Sequence, residues 1–418
     1  MRIAIVGSGV SGLVCAHLLN PHHEVTLFES DIRAGGHAHT VTAEIHGVSH
    51  AMDTGFIVFN ERNYPILTRL FAELGVATRP SDMSFAMASD AEDVEWCGSS
   101  LRSIFAQSRN IMRPVFLRML MDIFRFNRSA QKLLGEPENL EYTLEKFLAA
   151  GGYSREFREW YLVPMGAAIW SADPTDFVKF PAAAFLRFFD NHGLLGIRDR
   201  PQWRTVVGGS VNYVNAITKN LGERVRLVSP VTSVARVSQG VVVRTASTAD
   251  VFDHVIVATH SDQALALLES PTPAESEILS AIKYRANHAT LHTDEQLMAR
   301  RPRARASWNW RRREGVSAPT LTYDLTRLEG LNAQKRVYLT LNQPEAVGRE
   351  HVLSSMTYWH PVFDSSAMRA QRRHGEISGH DGISFVGAYW GFGFHEDGAR
   401  SAVDVCRALV SGIPEGLS

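Results

Sequence analysis

The sequence predicts an α/β protein that begins with a Rossmann-like nucleotide-binding domain. Residues 3–6, Ile-Ala-Ile-Val, have the continuous apolar pattern of a buried strand and lead directly into a three-glycine turn at 7–12. A second apolar run, 25–28, ends at the acidic residue Glu29. Strand, glycine turn, helix, strand and acid in this order are typical of a βαβ unit that binds a dinucleotide.

The residues of the turn have separate roles in this prediction. Gly7 permits the tight turn, Gly9 lets the backbone approach a pyrophosphate, and Gly12 lets the helix that begins near Val10 pack closely on the sheet. The N-terminus of that helix would face the phosphates. Glu29 would bind a ribose hydroxyl. The candidate nucleotide-binding residues of this unit are therefore Gly7, Ser8, Gly9, Ser11, Gly12, Glu29 and Ser30.

Three later segments add to this candidate site. Residues 33–40 contain a glycine pair where the chain could again pass close to a large anionic ligand. Residues 53–56 read Asp-Thr-Gly-Phe, and residues 385–399 have the pattern of a strand, a glycine-rich loop and the start of a final helix. That helix offers a second N-terminus to a phosphate or another polar group. The candidates here are Gly35, Gly36, His37, Thr54, Gly55, Phe56, Gly387, Phe394, His395, Gly398 and Ala399.

Together these motifs resemble those of the FAD-dependent amine oxidase and phytoene desaturase superfamily, including its bacterial branch of predicted NAD/FAD-binding oxidoreductases. The resemblance covers nearly the whole chain. It implies a Rossmann-like FAD-binding domain of the GR2-type flavoprotein class, interleaved with an α+β substrate domain, and it places the backbone of Val231 by the adenine. His37 stands where many relatives have arginine. No cysteine lies within 389–399, where some relatives attach the flavin, so non-covalent FAD is expected.

The domain division is predicted from where nucleotide-type patterns stop and restart. The 418 residues exceed a single ordinary core, so two interleaved domains are expected. We assign 1–78, 203–262 and 375–418 to the FAD-binding domain. The intervening blocks, 79–202 and 263–374, should form the substrate domain, the first mainly helical and the second richer in strands.

Composition narrows the class of protein. The formal net charge is −1, so no global basic field calls for nucleic acid. Cys15, Cys97 and Cys406 are far apart and have neither metal-site spacing nor a paired framework. We therefore expect no metal and a reduced, cytoplasmic setting. The chain opens directly into the nucleotide strand, which predicts no signal peptide, and no apolar run reaches the length of a membrane span.

The segment 102–133 is unusual because it interleaves six arginines and a lysine with isoleucine, leucine, methionine and phenylalanine. A basic amphipathic helix of this kind is typical of an element lying on an anionic lipid surface, here the inner face of the membrane. The other interpretation is a helix packed in the substrate domain with a solvated arginine face. Pro114 argues against one unbroken helix.

Candidate substrate-binding residues are aromatic or histidine side chains in three clusters, which could form apolar walls around a flavin or belong to the core. They are His192, Trp203, Tyr358, Tyr389 and Trp390.

The candidate catalytic residue is His288. The superfamily's amine oxidases place a lysine near the flavin, several residues after a tyrosine, and His288 is the nearest equivalent after Tyr284. An imidazole there could relay a proton or orient water. The alternative is a hydrogen-bonded strand histidine. The apparent absence of the lysine, and Phe394 where amine oxidases commonly have tyrosine, weaken the case for ordinary amine oxidation.

These observations favour an FAD-dependent oxidoreductase that abstracts a hydride from a lipid or another apolar substrate. The most favoured activity is a desaturase acting on an unsaturated fatty acyl chain, since the bacterial branch is commonly associated with fatty-acid-modifying enzymes. One alternative is an amine or porphyrinogen-type flavin oxidase. Another is a non-catalytic lipid-binding or escort protein that retains the fold.

Overall fold

The structure, a computed structural model, describes residues 1–170, 177–196, 200–316 and 318–411. Its strands are β1 Arg2–Val6, β2 Glu24–Phe28, β3 Thr40–Ile45, β4 Val48–Asp53, β5 Phe59–Asn60, β6 Thr78–Pro80, β7 Phe85–Ser89, β8 Val94–Cys97, β9 Trp203–Val206, β10 Val225–Arg226, β11 Val231–Val237, β12 Gly240–Thr245, β13 Ala249–Phe252, β14 His254–Val257, β15 Lys283–His292, β16 Trp308–Arg312, β17 Thr320–Asp324, β18 Tyr338–Leu341, β19 Val352–Val362 and β20 Ile383–Phe385.

The α-helices are α1 Val10–Leu19, α2 Pro65–Glu73, α3 Leu101–Ile104, α4 Pro114–Leu134, α5 Leu144–Ala150, α6 Arg155–Phe157, α7 Val163–Trp170, α8 Ala182–Asn191, α9 Val211–Leu221, α10 Ser261–Leu267, α11 Pro273–Ser280, α12 Leu325–Leu328, α13 Ser365–Gln371 and α14 His395–Leu409.

The nucleotide-binding pattern forms a five-stranded parallel sheet in the order β10-β2-β1-β14-β20. Its central strands are apolar on both faces, as expected where helices cover a parallel sheet. One core lies between the sheet and helices α1, α9 and α14, and it includes Leu13, Val214 and Val403. The Rossmann-like α/β fold predicted from the glycine motif is therefore confirmed.

A second, mixed sheet has seven strands in the order β19-β15-β18-β17-β16-β7-β8. Only its β16–β7 pair is parallel. Helices α4, α5, α7 and α8 share a large aromatic-rich core with it, including Phe126, Phe185 and Leu339. Smaller sheets are formed by β11-β12-β13, by β5-β9-β6 and by the β3-β4 hairpin.

The two large sheets draw on different parts of the chain. The parallel sheet takes its strands from 2–28, 225–226, 254–257 and 383–385, which lie inside the ranges assigned to the FAD-binding domain. The mixed sheet takes all its strands from 85–97 and 283–362, inside the other ranges. On this basis we propose that the chain is divided into two interleaved domains with the predicted ranges.

The basic segment 102–133 is not one helix, which corrects the boundaries of the predicted surface helix. It consists of α3, a 3₁₀ turn at Ser108–Met112, and α4. Pro114 occupies the first turn of α4, where its missing N–H costs nothing, so the proline starts the helix rather than interrupting it. Within the described ranges, no helix combines the length and apolarity that a bilayer crossing requires.

Candidate functional site

A single long cavity of about 1120 Å³ joins the carboxyl ends of the parallel strands to the face of the mixed sheet. Ligands of open α/β sheets bind at this edge, because strand ends and helix N-termini converge there. One end is lined by the glycine turn after β1, by Glu29 and by Val231. The other is lined by side chains from α7, α8, β15–β19 and the loop before α14.

The end near Glu29 has the geometry of a nucleotide site. Gly7 adopts a φ of 104°, a conformation that favours glycine, and its turn brings Ser8 beside the acid. The backbone N–H of Ser8 donates to one carboxylate oxygen of Glu29 at 3.0 Å, and that of Asp31 donates to the other at 2.9 Å. These bonds hold the carboxylate against the cavity wall, where it can accept from ribose hydroxyls.

The glycine loops leave room for a large group. A Cβ built on Gly9 would meet no atom within 4 Å, so this backbone faces open space. A Cβ on Gly36 would lie 3.1 Å from the Cα of Gly9, so two loops approach each other beside that space. The Nε2 atoms of His37 and His395 are buried and have no protein partner, and both side chains line the cavity. The residues therefore fit a long polar cofactor that supplies the missing partners.

Aromatic side chains form the walls at the other end. Phe394 stacks on Phe188 with ring centroids 5.0 Å apart, and His192 lies 6.1 Å from Trp203 in a parallel arrangement. The further apolar residues that line this end are Phe85, Trp96, Tyr161, Met165, Ile169, Trp170, Leu194, Trp308, Tyr323, Leu339, Leu341, Phe363 and Phe392. The wall is thus apolar over most of its area.

Ionisable groups are placed at the edges of this apolar end. Asp82 and Arg200 line the cavity but are exposed to solvent, so they lie at its rim. The hydroxyl of Tyr358 is satisfied within the protein, at 2.6 Å from Oγ1 of Thr54 and 2.8 Å from Nδ1 of His39. A substrate in the interior therefore meets mainly carbon.

Three histidines cluster between the two ends of the cavity. The ring of His37 lies 5.2 Å from that of His360 and 6.3 Å from that of His260. Burial lowers the pKa of His37 well below its ordinary value, and positive charge on the neighbouring histidines would lower it further. Burial lowers the pKa of His360 to about 4. The cluster is therefore neutral near pH 7, able to exchange hydrogen bonds without carrying charge.

His260 and His360 were not predicted from the sequence as site residues. His260 follows β14 by three residues, at the carboxyl edge of the parallel sheet, and that position is the signal that could have identified it. His360 lies on β19, next to residues already chosen, but its approach to His37 depends on tertiary structure.

Most of the predicted cofactor-binding residues line the cavity: Gly7, Ser8, Gly9, Ser11, Glu29, Ser30, Gly36, His37, Thr54, Gly55, Phe56, Val231, Gly387, Phe394 and His395. Gly12, Gly35, Gly398 and Ala399 do not line it, but Gly12 and Gly398 allow close packing beside it. A Cβ on Gly12 would lie 2.0 Å from the carbonyl oxygen of Gly7, and one on Gly398 would lie 2.7 Å from Oγ of Ser11.

Four of the five predicted substrate-binding residues, His192, Trp203, Tyr358 and Tyr389, line the cavity. Trp390 does not. Its ring packs between the rings of His374 and Tyr389, with centroids 4.2 Å and 4.9 Å away. The prediction that Trp390 contacts substrate is therefore wrong for this arrangement.

His288 is not beside the cavity, and its predicted place was wrong by one residue. Side chains alternate along β15, so His288 points outward and is exposed, while Asn287 is buried and lines the cavity. Nδ1 of His288 lies 2.9 Å from Oγ1 of Thr357 on the neighbouring strand. This is the alternative of a hydrogen-bonded strand histidine, and it leaves His288 on the wrong face to touch a reacting atom.

Asn287 occupies the inward position and belongs to a short polar network. Its Nδ2 lies 2.9 Å from Nδ1 of His360, and its Oδ1 accepts from Nδ2 of Asn342 at 2.7 Å. Since an amide nitrogen only donates, Nδ1 of neutral His360 is the acceptor and its proton sits on Nε2. The network gives this end of the cavity an oriented, uncharged hydrogen-bonding group.

Comparison with known proteins identifies the type of fold and the family. The family model described as flavin containing amine oxidoreductase matches residues 10–410. A Mycobacterium tuberculosis protein with the provisional name flavin-containing monoamine oxidase is 27% identical over 293 residues, covering 66% of this chain and 61% of that protein. The chain therefore matches about three fifths of the length of this relative.

Solved structures of similar fold cover nearly the whole chain. A conjugated-linoleic-acid-producing fatty acid isomerase from P. acnes matches with a TM-score of 0.69 and 16% identity, covering 98% of this chain and 99% of that one. Cyclohexylamine oxidase from Brevibacterium oxydans matches with a TM-score of 0.71 and 15% identity, covering 98% and 99%. At these identities the likeness establishes the fold alone.

Proposed function

The chain belongs to the flavin-containing amine oxidoreductase family, and we propose that it is an FAD-dependent oxidoreductase acting on an apolar substrate. FAD is its cofactor, as the family description and the nucleotide end of the cavity agree. We propose that the FAD is bound non-covalently, since Cys15, Cys97 and Cys406 are buried outside the residues that line the cavity.

The substrate class we propose is a lipid acyl chain, and the apolar end of the cavity is the observation that carries this proposal. A chain of methylene groups can fill a space walled by Met165, Ile169, Leu339 and their neighbours without leaving a polar group unpaired. Asp82 and Arg200 at the rim can contact a polar headgroup while the chain lies inside. Burial of apolar surface then supplies the binding energy.

Within the described part of the chain, the same walls provide no buried carboxylate at the apolar end to pair with a protonated amine. The acidic residues that line the cavity are Glu29, at the nucleotide end, and Asp82, at the exposed rim. A buried ammonium group without a carboxylate partner is strongly disfavoured. Phe394 has no hydroxyl to offer, and the neutral histidines carry no negative charge. An amine would have to bind as the neutral base.

The reaction we propose is desaturation of an acyl chain that already contains a double bond. The substrate loses an allylic hydrogen as hydride and a proton from the adjacent carbon, so that a second carbon–carbon double bond forms. Bound FAD supplies a two-electron acceptor, and the electrons pass on to dioxygen or another oxidant. The aromatic walls exclude bulk solvent and hold the chain in place, and the Asn287–His360 pair orients one bound water or hydroxyl that takes the proton.

Amine oxidation is the second candidate function, and the family match favours it. The names of the Mycobacterium relative and of the Brevibacterium structure both refer to amine oxidation. For this chain the amine proposal requires a substrate that enters as the neutral base and has a large apolar body. A porphyrinogen-type substrate would likewise have to enter without positive charge and with a large apolar body. An escort protein would bind FAD without oxidising any substrate.

The test of the proposed function is product analysis. The FAD-loaded protein is incubated in air with a monounsaturated phospholipid, a primary amine with a long alkyl chain, or a porphyrinogen, and each mixture is examined by mass spectrometry. Loss of two hydrogens from the acyl chain supports desaturation. A moved double bond at unchanged mass contradicts it and indicates isomerisation. Formation of an aldehyde from the amine supports the second candidate, and no product with any of the three supports the escort role.

A further inference from the structure

Helix α4 has one face in the core and one face in solvent. Phe116, Met119 and Phe126 are buried in the aromatic-rich core, so the packed-helix interpretation is right for this side. The opposite side exposes Leu117, Met121 and Phe124, which follow one another at spacings of four and three residues and therefore form one stripe. Met121 and Phe124 are each 59% exposed. The buried inner face is enough to pack α4 on the core, so packing within this chain does not explain the outer apolar stripe.

Cationic side chains lie along the same outer side. Arg118, Arg128 and Lys132 are exposed, and within the described residues no carboxylate lies within salt-bridge distance of any of them. Arg125 differs, because it pairs with the buried carboxylate of Asp122 and donates to the carbonyl of Gly151 at 2.8 Å. Arg125 therefore binds within the protein itself, whereas the other three cations face solvent.

The 3₁₀ turn before α4 also exposes large apolar side chains. Met112 is 84% exposed and Ile111 is also exposed, although both are large apolar side chains. A few scattered apolar residues are normal on any surface, but a row of them flanked by unpaired cations is not. We call this surface, formed by Ile111, Met112, Leu117, Met121 and Phe124 with Arg118, Arg128 and Lys132, the α4 face.

We propose that the α4 face docks on an anionic lipid bilayer. The apolar side chains would enter the boundary between headgroups and acyl chains, while the three cations lie at the level of the lipid phosphates. A bilayer contacts the apolar side chains and the cations at the same time, whereas a purely polar partner would leave the apolar row exposed. Binding would be reversible and parallel to the surface, because the structure describes no helix able to cross the membrane.

Charge argues against a second copy of this chain as the occupant. A symmetric dimer through this face would bring Arg118, Arg128 and Lys132 of one copy against the same residues of the other. No acidic residue of α4 is exposed to balance them, since the only one, Asp122, is buried. Like charges in contact across an interface are unfavourable, whereas a bilayer containing anionic lipid supplies the opposite charge.

The cavity wall leads into this region of the chain. Gly98 and Ser99 line the cavity, and α3, the 3₁₀ turn and α4 follow directly. Docking would therefore hold the enzyme at the surface where a lipid substrate is found, which ties this inference to the proposed function. Docking itself requires no turnover, so the two can fail separately.

The test is vesicle binding by the full chain loaded with FAD, measured by flotation without any turnover. Vesicles of phosphatidylcholine alone are compared with vesicles containing about one third phosphatidylglycerol. We expect at least ~10-fold stronger binding to the anionic vesicles, and a loss of that difference at high salt, because surface charges are screened. Absence of binding to the anionic vesicles would overturn the proposal.

Paired variants assign the binding to the α4 face. Met121→Ser with Phe124→Ser, and Arg118→Glu with Arg128→Glu, should each reduce anionic-vesicle binding by ~10-fold or more. The matched controls change exposed residues elsewhere: Val48→Ser with Val237→Ser, and Lys219→Glu with Lys283→Glu. These should bind within about twofold of the unmodified chain. Flavin content and melting temperature verify that every variant is folded.

Two results would overturn the assignment. If the control pairs lose as much binding as the face variants, vesicle binding depends on overall charge or general surface hydrophobicity and not on the α4 face. If light scattering shows that the unmodified chain self-associates, and the face variants are monomeric while vesicle binding is unchanged, the occupant is a second copy of the chain.

Discussion

The amide nitrogen of Asn287 donates a hydrogen bond to Nδ1 of His360 at 2.9 Å, and both side chains line the cavity. Asn342 fixes the orientation of the amide by donating to its oxygen at 2.7 Å. Burial keeps His360 neutral by lowering its pKa to about 4, so the tautomer with the proton on Nε2 is held through the neutral pH range. The pair is therefore an oriented group and not a charged one.

We predict that Asn287→Ala slows flavin reduction by ~10-fold or more, while His288→Ala leaves it within about twofold. Removing the asparagine leaves Nδ1 of His360 without its donor and frees the tautomer, a loss of about 1–3 kcal/mol. His288 faces solvent on the other side of the same strand, so it is the matched control. Single-turnover kinetics with the substrate found in product analysis measures both. Equal effects of the two substitutions would contradict this assignment.

Gly9→Ala should fold normally and lose FAD. Its Cβ would meet no protein atom within 4 Å, and the φ of −65° suits alanine, but the methyl group would enter the space assigned to the pyrophosphate. We expect at least ~10-fold weaker FAD binding, equivalent to about 1.4 kcal/mol, measured by flavin fluorescence.

Gly12→Ala is the contrasting variant. Its Cβ would lie 2.0 Å from the carbonyl oxygen of Gly7, so the fold itself should suffer. Circular dichroism of the FAD-free proteins separates the two effects. An unchanged FAD affinity in folded Gly9→Ala would contradict the placement of the cofactor.

Met165→Trp should shorten the range of acyl chains that the enzyme accepts. Met165 lies on α7 and lines the apolar end, so the larger ring occupies part of the space assigned to the chain. We expect KM for an eighteen-carbon acyl chain to rise ~10-fold, and KM for an eight-carbon chain to change by less than about threefold. A parallel change for both lengths would mean that the chain does not pass Met165.

Glu329→Gln should stabilise the folded protein more as the pH rises. Burial raises the pKa of Glu329 well above its ordinary value, and the charge of Asp53 raises it further. The folded state therefore holds a proton that the unfolded chain releases above pH ~4.3, and stability falls as the pH rises from there towards the folded pKa. Glutamine can accept the bond from the backbone N–H of Asp53 without this cost.

Thermal melting near pH 5 and near pH 8 measures the effect of Glu329→Gln. The variant should gain about 1–2 °C over the unmodified protein at the higher pH, the shift that ~1 kcal/mol produces in a chain of 418 residues, and less at the lower pH. Glu44→Gln is the control, since Glu44 is exposed on β3. A gain that is the same at both pH values would contradict a buried, protonated Glu329.

The nucleotide end of the site could be predicted from sequence because its function depends on local backbone conformation. Gly7, Gly9 and Gly12 act through a turn shape and close approaches that few other residues allow, and this leaves a pattern within six residues of chain. The family resemblance rested on these same motifs and is confirmed by the match over residues 10–410.

The inner residues of the cavity depend on contacts that sequence spacing does not record. Whether Asn287 or His288 faces inward is decided by the pairing of β15 with β18 and β19, strands that begin more than fifty residues later. His37 and His360 come from opposite ends of the chain. The basic segment predicted a helix, and Pro114 argued against its being unbroken. The sequence pattern did not predict the burial of Asp122, which accepts from the backbone N–H of Ser154 at 2.8 Å.

We propose that an unsaturated acyl chain in the apolar end of the cavity gives up a hydride to the flavin. The most direct measurement is rapid anaerobic mixing of the FAD-loaded protein with two phospholipids whose acyl chains have the same length, one monounsaturated and one saturated, while the visible absorbance of oxidised flavin is followed. We expect bleaching with the unsaturated lipid, loss of two hydrogens from its chain, and no bleaching with the saturated one. A flavin that stays oxidised with both lipids but is bleached by a long-chain amine would contradict it.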